Sequence, residues 1–275
     1  MITSMKDAFS LKGKNALITG GNRGIGKGIA TAMAQSGANI AIMARDEETS
    51  RQAIKELIEN GGSHGFYKGD VSDYNQAQDV VNAVNRDYGK IDILVNNSGI
   101  FRWFNVMDMD PSLKDWYDVI NVNLHGVFIM SYLVAKKMKE TGGGSIINIS
   151  SNASRIVNVP DNTSSYSVSK AAVDHLTHCL AYEFAHYKIR VNSICPGFTD
   201  RDTPPDTDEL KKKVNLWIER CPTGRFNKPL ELGALAVFLA SEASENMTGS
   251  INTMDGGYEL AREGKKIEEK NPSID

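Results

Sequence analysis

The sequence predicts an α/β fold: a doubly wound parallel sheet of about seven strands in a three-layer α/β/α arrangement. Short β-rich runs alternate with longer amphipathic stretches, which implies parallel strands covered by helices on both faces. A glycine-rich turn follows the first run and opens a helix. The polar motifs fall at strand C-termini or at the start of the next helix, the edge where open α/β sheets bind ligands.

The strand runs, in order, are NALIT (15–19), NIAIM (39–43), GFYKG (65–69), DILVNN (92–97), SIINIS (145–150), IRVNSI (189–194) and SINTMD (250–255). Helical patterns cover 24–36 and 73–88; another begins near 112, a fourth runs from about 122 to 140, and a fifth covers 164–186. Segment 199–228 breaks the rhythm: it is polar and Pro-containing, and its helical middle carries Leu216, Trp217 and Ile218. Excursions of this kind are often binding lids. The tail 259–275 is nearly all polar and reads as a solvated helix fraying into disorder. With no repeat and no shift in composition, the expectation is one domain over 10–258.

Composition narrows the function classes. A net charge of −3 gives no broad electrostatic case for nucleic acid or anionic membrane as a partner. No apolar run approaches the roughly 20 residues of a membrane span, and the first residues lack an apolar signal core. Cys179, Cys195 and Cys221 show no CxxC pairing and the histidines no ligand spacing, so neither a disulfide framework nor a metal site is expected. A reducing, cytoplasmic compartment suits them. Cys195 ends an apolar run and reads as a buried structural thiol.

In TGGNRGIG (19–26) the glycines Gly20, Gly24 and Gly26 follow a GxxxGxG spacing. Glycine in such a turn lets backbone approach a pyrophosphate, and the following helix offers N–H groups and a positive dipole end. The plainer alternative is a strand-to-helix turn with packing glycines; the position in the first βαβ unit favours a nucleotide. The acid that would hold an NAD ribose belongs at the end of the second strand, where Ala44 stands. Arg45 follows at once and Arg23 lies within the glycine loop, a pair that suits a 2′-phosphate and favours NADP (NADPH) over NAD. Asp46 argues the other way if the strand ends two residues later.

YSVSK (166–170) sets Tyr166 and Lys170 four positions apart, on one face of a helix. A lysine ammonium near a phenol lowers the phenol pKa. Alone, the pair reads first as two ordinary polar side chains on an exposed turn.

Taken together, TGGNRGIG, NNSG, VNLHGVF, ISS, YSVSK, PGFT and the closing TGSINTMDGGY resemble a short-chain dehydrogenase/reductase over roughly residues 10–258, with a Rossmann-like sheet. The resemblance implies that Tyr166 is the catalytic acid/base and that Lys170 holds the nicotinamide ribose and depresses the Tyr166 pKa. It implies that Ser151 hydrogen-bonds the substrate carbonyl and that Asn123 anchors a water in the proton relay. Gly20, Asn22, Gly24, Ile25 and Gly26 would cradle the pyrophosphate, with Arg23 among them as a cofactor contact. Arg45, Asp70 and Val71 would flank the adenosine, Asn97, Ser98 and Gly99 would line the channel, and Pro196, Gly197 and Thr199 would flank the nicotinamide. Two departures stand out: the stretch between Ser151 and Tyr166 is slightly long, and Arg201 occupies the place expected for a threonine, with Thr199 and Thr203 nearby.

Substrate choice should lie after NNSG, in loop 152–165 and in the lid. Phe101, Trp103 and Phe104 suit an apolar wall or a subunit contact; Arg102, His125, Arg155 and Asn158 suit a polar or acidic substrate, or simply solvent. The resulting expectation is an NADP(H)-dependent oxidoreductase that interconverts a small polar, sugar- or polyol-like ketone and its alcohol. The alternatives are a 3-oxoacyl-thioester reductase and a non-catalytic nucleotide-binding relative. Helices 112–140 and 164–186 carry apolar residues on more than one face, and the resemblance implies a homodimer or homotetramer.

Overall fold

The computed structural model describes residues 4–157, 163–200 and 206–260. Asn158, Arg201, Thr203 and tail positions 261–275 lie outside these.

After a single turn α1 (Met5–Ala8), strand β1 (Asn15–Thr19) leads through the glycine turn into α2 (Gly24–Gln35). Then follow β2 (Asn39–Ala44), α3 (Glu47–Ile58), β3 (His64–Lys68), α4 (Tyr74–Tyr88) and β4 (Ile93–Asn96). The second half holds α5 (Lys114–Ile120), a π turn (Asn121–His125), α6 (Gly126–Thr141), β5 (Gly144–Ile149), α7 (Ser164–Phe184) and β6 (Ile189–Pro196). It closes with α8 (Asp208–Glu219), α9 (Pro229–Ala240) and β7 (Ile251–Met254). All seven strands run parallel in the order β3-β2-β1-β4-β5-β6-β7. Strand order reverses between β1 and β4, so a crevice opens there above the strand ends.

Alternation along each strand divides the core in two. Ile18, Ile40, Ile42, Val95, Ile147 and Ile194 face α2 and α9, together with Ile29, Met33, Leu232 and Leu239. Leu17, Ala41, Met43, Leu94, Ile146 and Val191 face the opposite layer, with Val80, Val84, Met130, Val134 and Leu180. Each Val, Leu, Ile or Met side chain among them contributes about 1.5–3 kcal/mol on full burial. Sequence patterning did not delineate α3 and α9. From Leu232 onward α9 reads as one apolar run without an amphipathic stripe, the form taken by a helix buried on several sides.

Helix ends follow local chemistry. Asp46 caps α3 by accepting from the Thr49 N–H at 2.8 Å, and Asp73 caps α4 by accepting from Asn75 and Gln76. β2 therefore ends at Ala44, and Asp46 belongs to the helix. The backbones of α2 and α9 almost touch: a Cβ on Gly28 would lie 2.4 Å from the Pro229 carbonyl carbon, and one on Gly233 would lie 2.7 Å from the Gly28 oxygen.

Residues 114–141 form a continuous helical stretch that is long and apolar enough, by length and composition, to cross a bilayer. Half of its apolar window is buried inside this fold, where Met130, Val134 and Met138 pack against the sheet.

Candidate active site

A cavity of about 1140 Å³ runs along the strand ends at the switch point. The glycine loop forms its floor, with Gly20, Asn22, Arg23, Gly24, Ile25 and Gly26 in its lining. Gly26 cannot be another residue: a Cβ there would stand 2.2 Å from the Gly20 carbonyl oxygen. This close approach packs the loop against the N-terminus of α2, an element whose N–H groups and positive dipole end suit a phosphate.

At one end of the cavity lie Ala44, Arg45, Asp46, Asp70 and Val71. Arg23 and Arg45 are exposed there. Arg45 pairs loosely with Asp70 at 3.4 Å, and Asp70 also accepts from the Ser72 N–H and hydroxyl at 2.9 and 2.7 Å. Asp46 takes the Thr49 hydroxyl at 2.6 Å, and with the Thr49 N–H this holds its carboxyl below the ordinary value. Both carboxylates thus already have partners in the protein.

The middle of the cavity is fastened by Asn97, whose side-chain amide donates to the Thr19 and Gly20 carbonyls, both at 3.0 Å. The Thr19 hydroxyl receives the N–H groups of Asn97 and Ser98. Asn97 therefore staples β4 to the glycine loop, and its backbone, Ser98 and Gly99 supply the lining.

At the far end the π turn buries Asn123 completely. Its amide grips Ile100, accepting from the N–H at 2.8 Å and donating to the carbonyl at 3.0 Å, and donates to the Ser169 hydroxyl at 3.2 Å. Both amide hydrogens are thereby used, so this side chain has no donor left for a water. Lys170 is buried and donates its ammonium to the Ile149 carbonyl at 2.7 Å. A Cβ on Gly99 would lie 3.7 Å from that nitrogen, so channel wall and lysine adjoin. Tyr166 is half-buried; its ring packs on Phe101 at 5.0 Å between centroids, and the Lys170 nitrogen lies 5.6 Å from its centre. The Ser151 hydroxyl, which accepts from the Ala153 N–H at 3.2 Å, lies close enough to the phenol to favour its ionised form.

The expected depression of the Tyr166 pKa is absent. Burial raises it, and the Ser151 hydroxyl offsets this only in part. Burial also pushes Lys170 down to about 8, so the lysine is itself weakened as a source of positive field.

Of the nicotinamide-flanking residues expected, Thr199 lines the cavity; Pro196 and Gly197 are not among its lining residues. Gly197 is pressed against Asp255, where a Cβ would meet the Asp255 Cβ at 2.6 Å. Gly69, Ile100, Val122 and Asp200 also line the cavity and escaped notice. Each lies within or beside one of the sequence motifs, and that place is its signal. Phe198 stacks on Trp217 of α8 at 4.7 Å and on Phe226 at 5.2 Å, docking the lid segment beside the site. Among the described residues no cluster of His, Cys, Asp and Glu could hold a metal ion.

Comparison with known proteins agrees with this geometry. Residues 20–259 match the family described as enoyl-(acyl carrier protein) reductase. A sorbose reductase of Candida albicans is 38% identical over 258 residues, covering 93% of this chain and 90% of the relative. A D-threitol dehydrogenase of Mycolicibacterium smegmatis is 38% identical, covering 92% and 95%. The crystal structure of a gluconate 5-dehydrogenase from Burkholderia cenocepacia, in complex with NADP and tartrate, superposes with a TM-score of 0.85 at 34% identity, covering 94% of this chain and all of that one. A parallel sheet with its cavity at the switch point, a tyrosine and lysine one helical turn apart beside a serine, and relatives matched over nearly their whole length lead to one conclusion: the chain belongs to the short-chain dehydrogenase/reductase family and is an oxidoreductase of alcohol and carbonyl groups.

Proposed function

We propose that the protein reduces a small, polar, sugar- or polyol-like ketone to its secondary alcohol, using NADPH. One observation carries this reading. The Ser151–Tyr166–Lys170 cluster adjoins, across Gly99, a dinucleotide-sized cavity lined by the guanidiniums of Arg23 and Arg45, where Asp46 and Asp70 already have protein partners.

The residues present fit such a cofactor. Gly20, Asn22, Gly24, Ile25 and Gly26 would take the pyrophosphate, and Arg23 and Arg45 the 2′-phosphate. Asp70 and Val71 would flank the adenine, Asn97, Ser98 and Gly99 the ribose side, and Pro196, Gly197 and Thr199 the nicotinamide. Bound there, the nicotinamide supplies the hydride.

The protein must then orient the ketone and deliver a proton. Ser151 donates a hydrogen bond to the carbonyl oxygen. Tyr166 donates the proton to that oxygen as charge develops on it. Its raised pKa keeps the phenol protonated at neutral pH, the form that reduction needs. The Lys170 ammonium steadies the phenolate left behind. Because the Asn123 amide is fully engaged, any water relay at the π turn would run through main-chain groups, which π turns release from the helical ladder.

Phe101 and Trp103, 4.7 Å apart, form an aromatic wall beside Tyr166 against which a short carbon chain would lie. The sugar- and polyol-named relatives favour a polar substrate. Residues 10–258 act as one domain, with 199–228 as its lid. Exposed Tyr117, Phe128 and Tyr132 along α5 and α6, with Tyr182 on α7, suit a homodimer or homotetramer. Three free thiols suit a cytoplasmic location.

The test is a turnover screen with NADPH and with NADH against ketoses, small diketones, 3-oxoacyl thioesters and steroid ketones. Turnover of ketoses with NADPH supports the reading. Preference for the thioester, or for NADH, replaces that part of it.

A further inference from the structure

Asp174 takes no part in the chemistry above, yet three donors converge on its carboxylate. The Ser154 hydroxyl donates at 2.6 Å, the Ser193 hydroxyl at 3.2 Å and the Cys195 thiol at 3.5 Å. These come from different elements. Ser154 closes the turn that begins at Ser151, and Ser193 and Cys195 lie on β6, just before the Pro196–Gly197 turn. Asp174 itself sits on α7, one turn beyond Lys170 and two beyond Tyr166. Ser193 and Cys195 are fully buried. A carboxylate only accepts, and all three partners can donate, so the ionised form satisfies the whole set. An asparagine would turn an N–H₂ group toward one of these donors.

We infer that Asp174 is a positioning residue: it joins the Ser151 turn and strand β6 to the helix bearing Tyr166 and Lys170, and sets a negative charge one helical turn behind the Lys170 ammonium. This rests on the proton chemistry proposed for that pair. The charged and titratable groups facing this region are few. Lys170 and Tyr166 share its helix, with His175 and His178 exposed further along. From β6 comes Cys195, pushed up to about 11 by burial and by Asp174, and therefore a neutral thiol. Arg155, from the turn after Ser151, is turned to Thr253 at 2.6 Å and Glu259 at 3.3 Å. Asp174 is thus the acidic group that offsets the downward pull of burial on Lys170.

The test compares wild type with Asp174→Asn, which keeps shape and removes charge, and with Ser154→Ala, which keeps charge and removes one tie. NADPH-dependent ketone reduction is followed against pH. In Asp174→Asn the alkaline limb of kcat is expected to move to lower pH by roughly half a unit or more, with KM within about twofold. In Ser154→Ala the limb stays in place while kcat falls about threefold, the loss of one positioning hydrogen bond. An unmoved limb in Asp174→Asn, or a moved one in Ser154→Ala, overturns the inference.

A second measurement needs no turnover. The Tm at neutral pH is read for Asp174→Asn in the wild-type and Lys170→Met backgrounds. A markedly smaller loss in the Lys170→Met background supports the charge coupling; equal losses overturn it. A wild type that reduces no ketone would sink the function proposed above and leave this cycle standing.

Discussion

Lys170 donates its ammonium to the main-chain carbonyl of Ile149 at 2.7 Å, at the point where β5 gives way to the turn bearing Ser151. The lysine is thereby fixed by backbone, and its charge state depends mainly on burial.

That charge state should be visible in the rate. Burial pushes Lys170 down to about 8, so the ammonium is present below that pH and is lost as pH rises through it. Tyr166 has a raised pKa and keeps its proton through the same window. Ketone reduction is expected to hold steady below pH 8 and decline above it. Lys170→Met should lose about two orders of magnitude in kcat and the alkaline limb with it. A wild-type profile flat to pH 9.5 would contradict this.

Removing the phenol oxygen separates chemistry from binding. Tyr166→Phe retains the ring that packs on Phe101, so NADPH affinity should stay within about twofold, while kcat falls by about a thousandfold or more, as expected for a lost general acid. Fluorescence titration and steady-state kinetics on one preparation decide it.

Cofactor preference should follow the two arginines. Arg45 is exposed and held only by its 3.4 Å contact with Asp70, which leaves it available to a phosphate. Arg45→Ala should weaken NADPH by about tenfold and NADH by less than twofold, the loss of one charge-assisted contact. Ala44→Asp should shift the preference toward NADH by placing a carboxylate at the end of β2. Equal effects of Arg45→Ala on both cofactors would move the specificity elsewhere.

Glu231 should mark the acid limb of stability. It accepts two hydrogen bonds from Arg225, at 2.7 and 2.9 Å, and one from the Lys228 N–H at 2.8 Å at the start of α9. These hold its carboxyl at about 2, below the ordinary value. A depressed folded-state pKa stabilises fully above the unfolded value, about 4.3, and the contribution is lost as pH falls toward 2. Wild type should therefore melt above Glu231→Gln at pH 6, and the gap should close between about pH 4.5 and pH 2. Circular-dichroism melts across that range test it.

Much of this was legible in the chain. Each strand run appears within about two residues of its predicted place, because buried parallel strands are continuous apolar runs bounded by turn chemistry. The glycine spacing, Ala44 before Arg45, and the Tyr166–Lys170 pair all stand where the sequence put them. Other features depend on tertiary context. α9 has no amphipathic stripe to see. Asp46 caps α3, a partner that depends on where β2 ends and that its place in the chain alone does not reveal. The Tyr166 pKa turned on burial, which a spacing cannot report. Asp174 looked like one more polar position on a long helix, since its partners lie about 20 residues away on either side.

The near-contact between Gly28 and Pro229 couples the helix that follows the glycine loop to a helix made some 200 residues later. During synthesis the glycine loop leaves the ribosome early, but the surface that presses α2 into place does not exist until α9 has emerged. Nascent chains halted before residue 240 should carry the dinucleotide motif and bind dinucleotide poorly. Competence for cofactor would then arrive late and abruptly, as a property of the nearly finished chain.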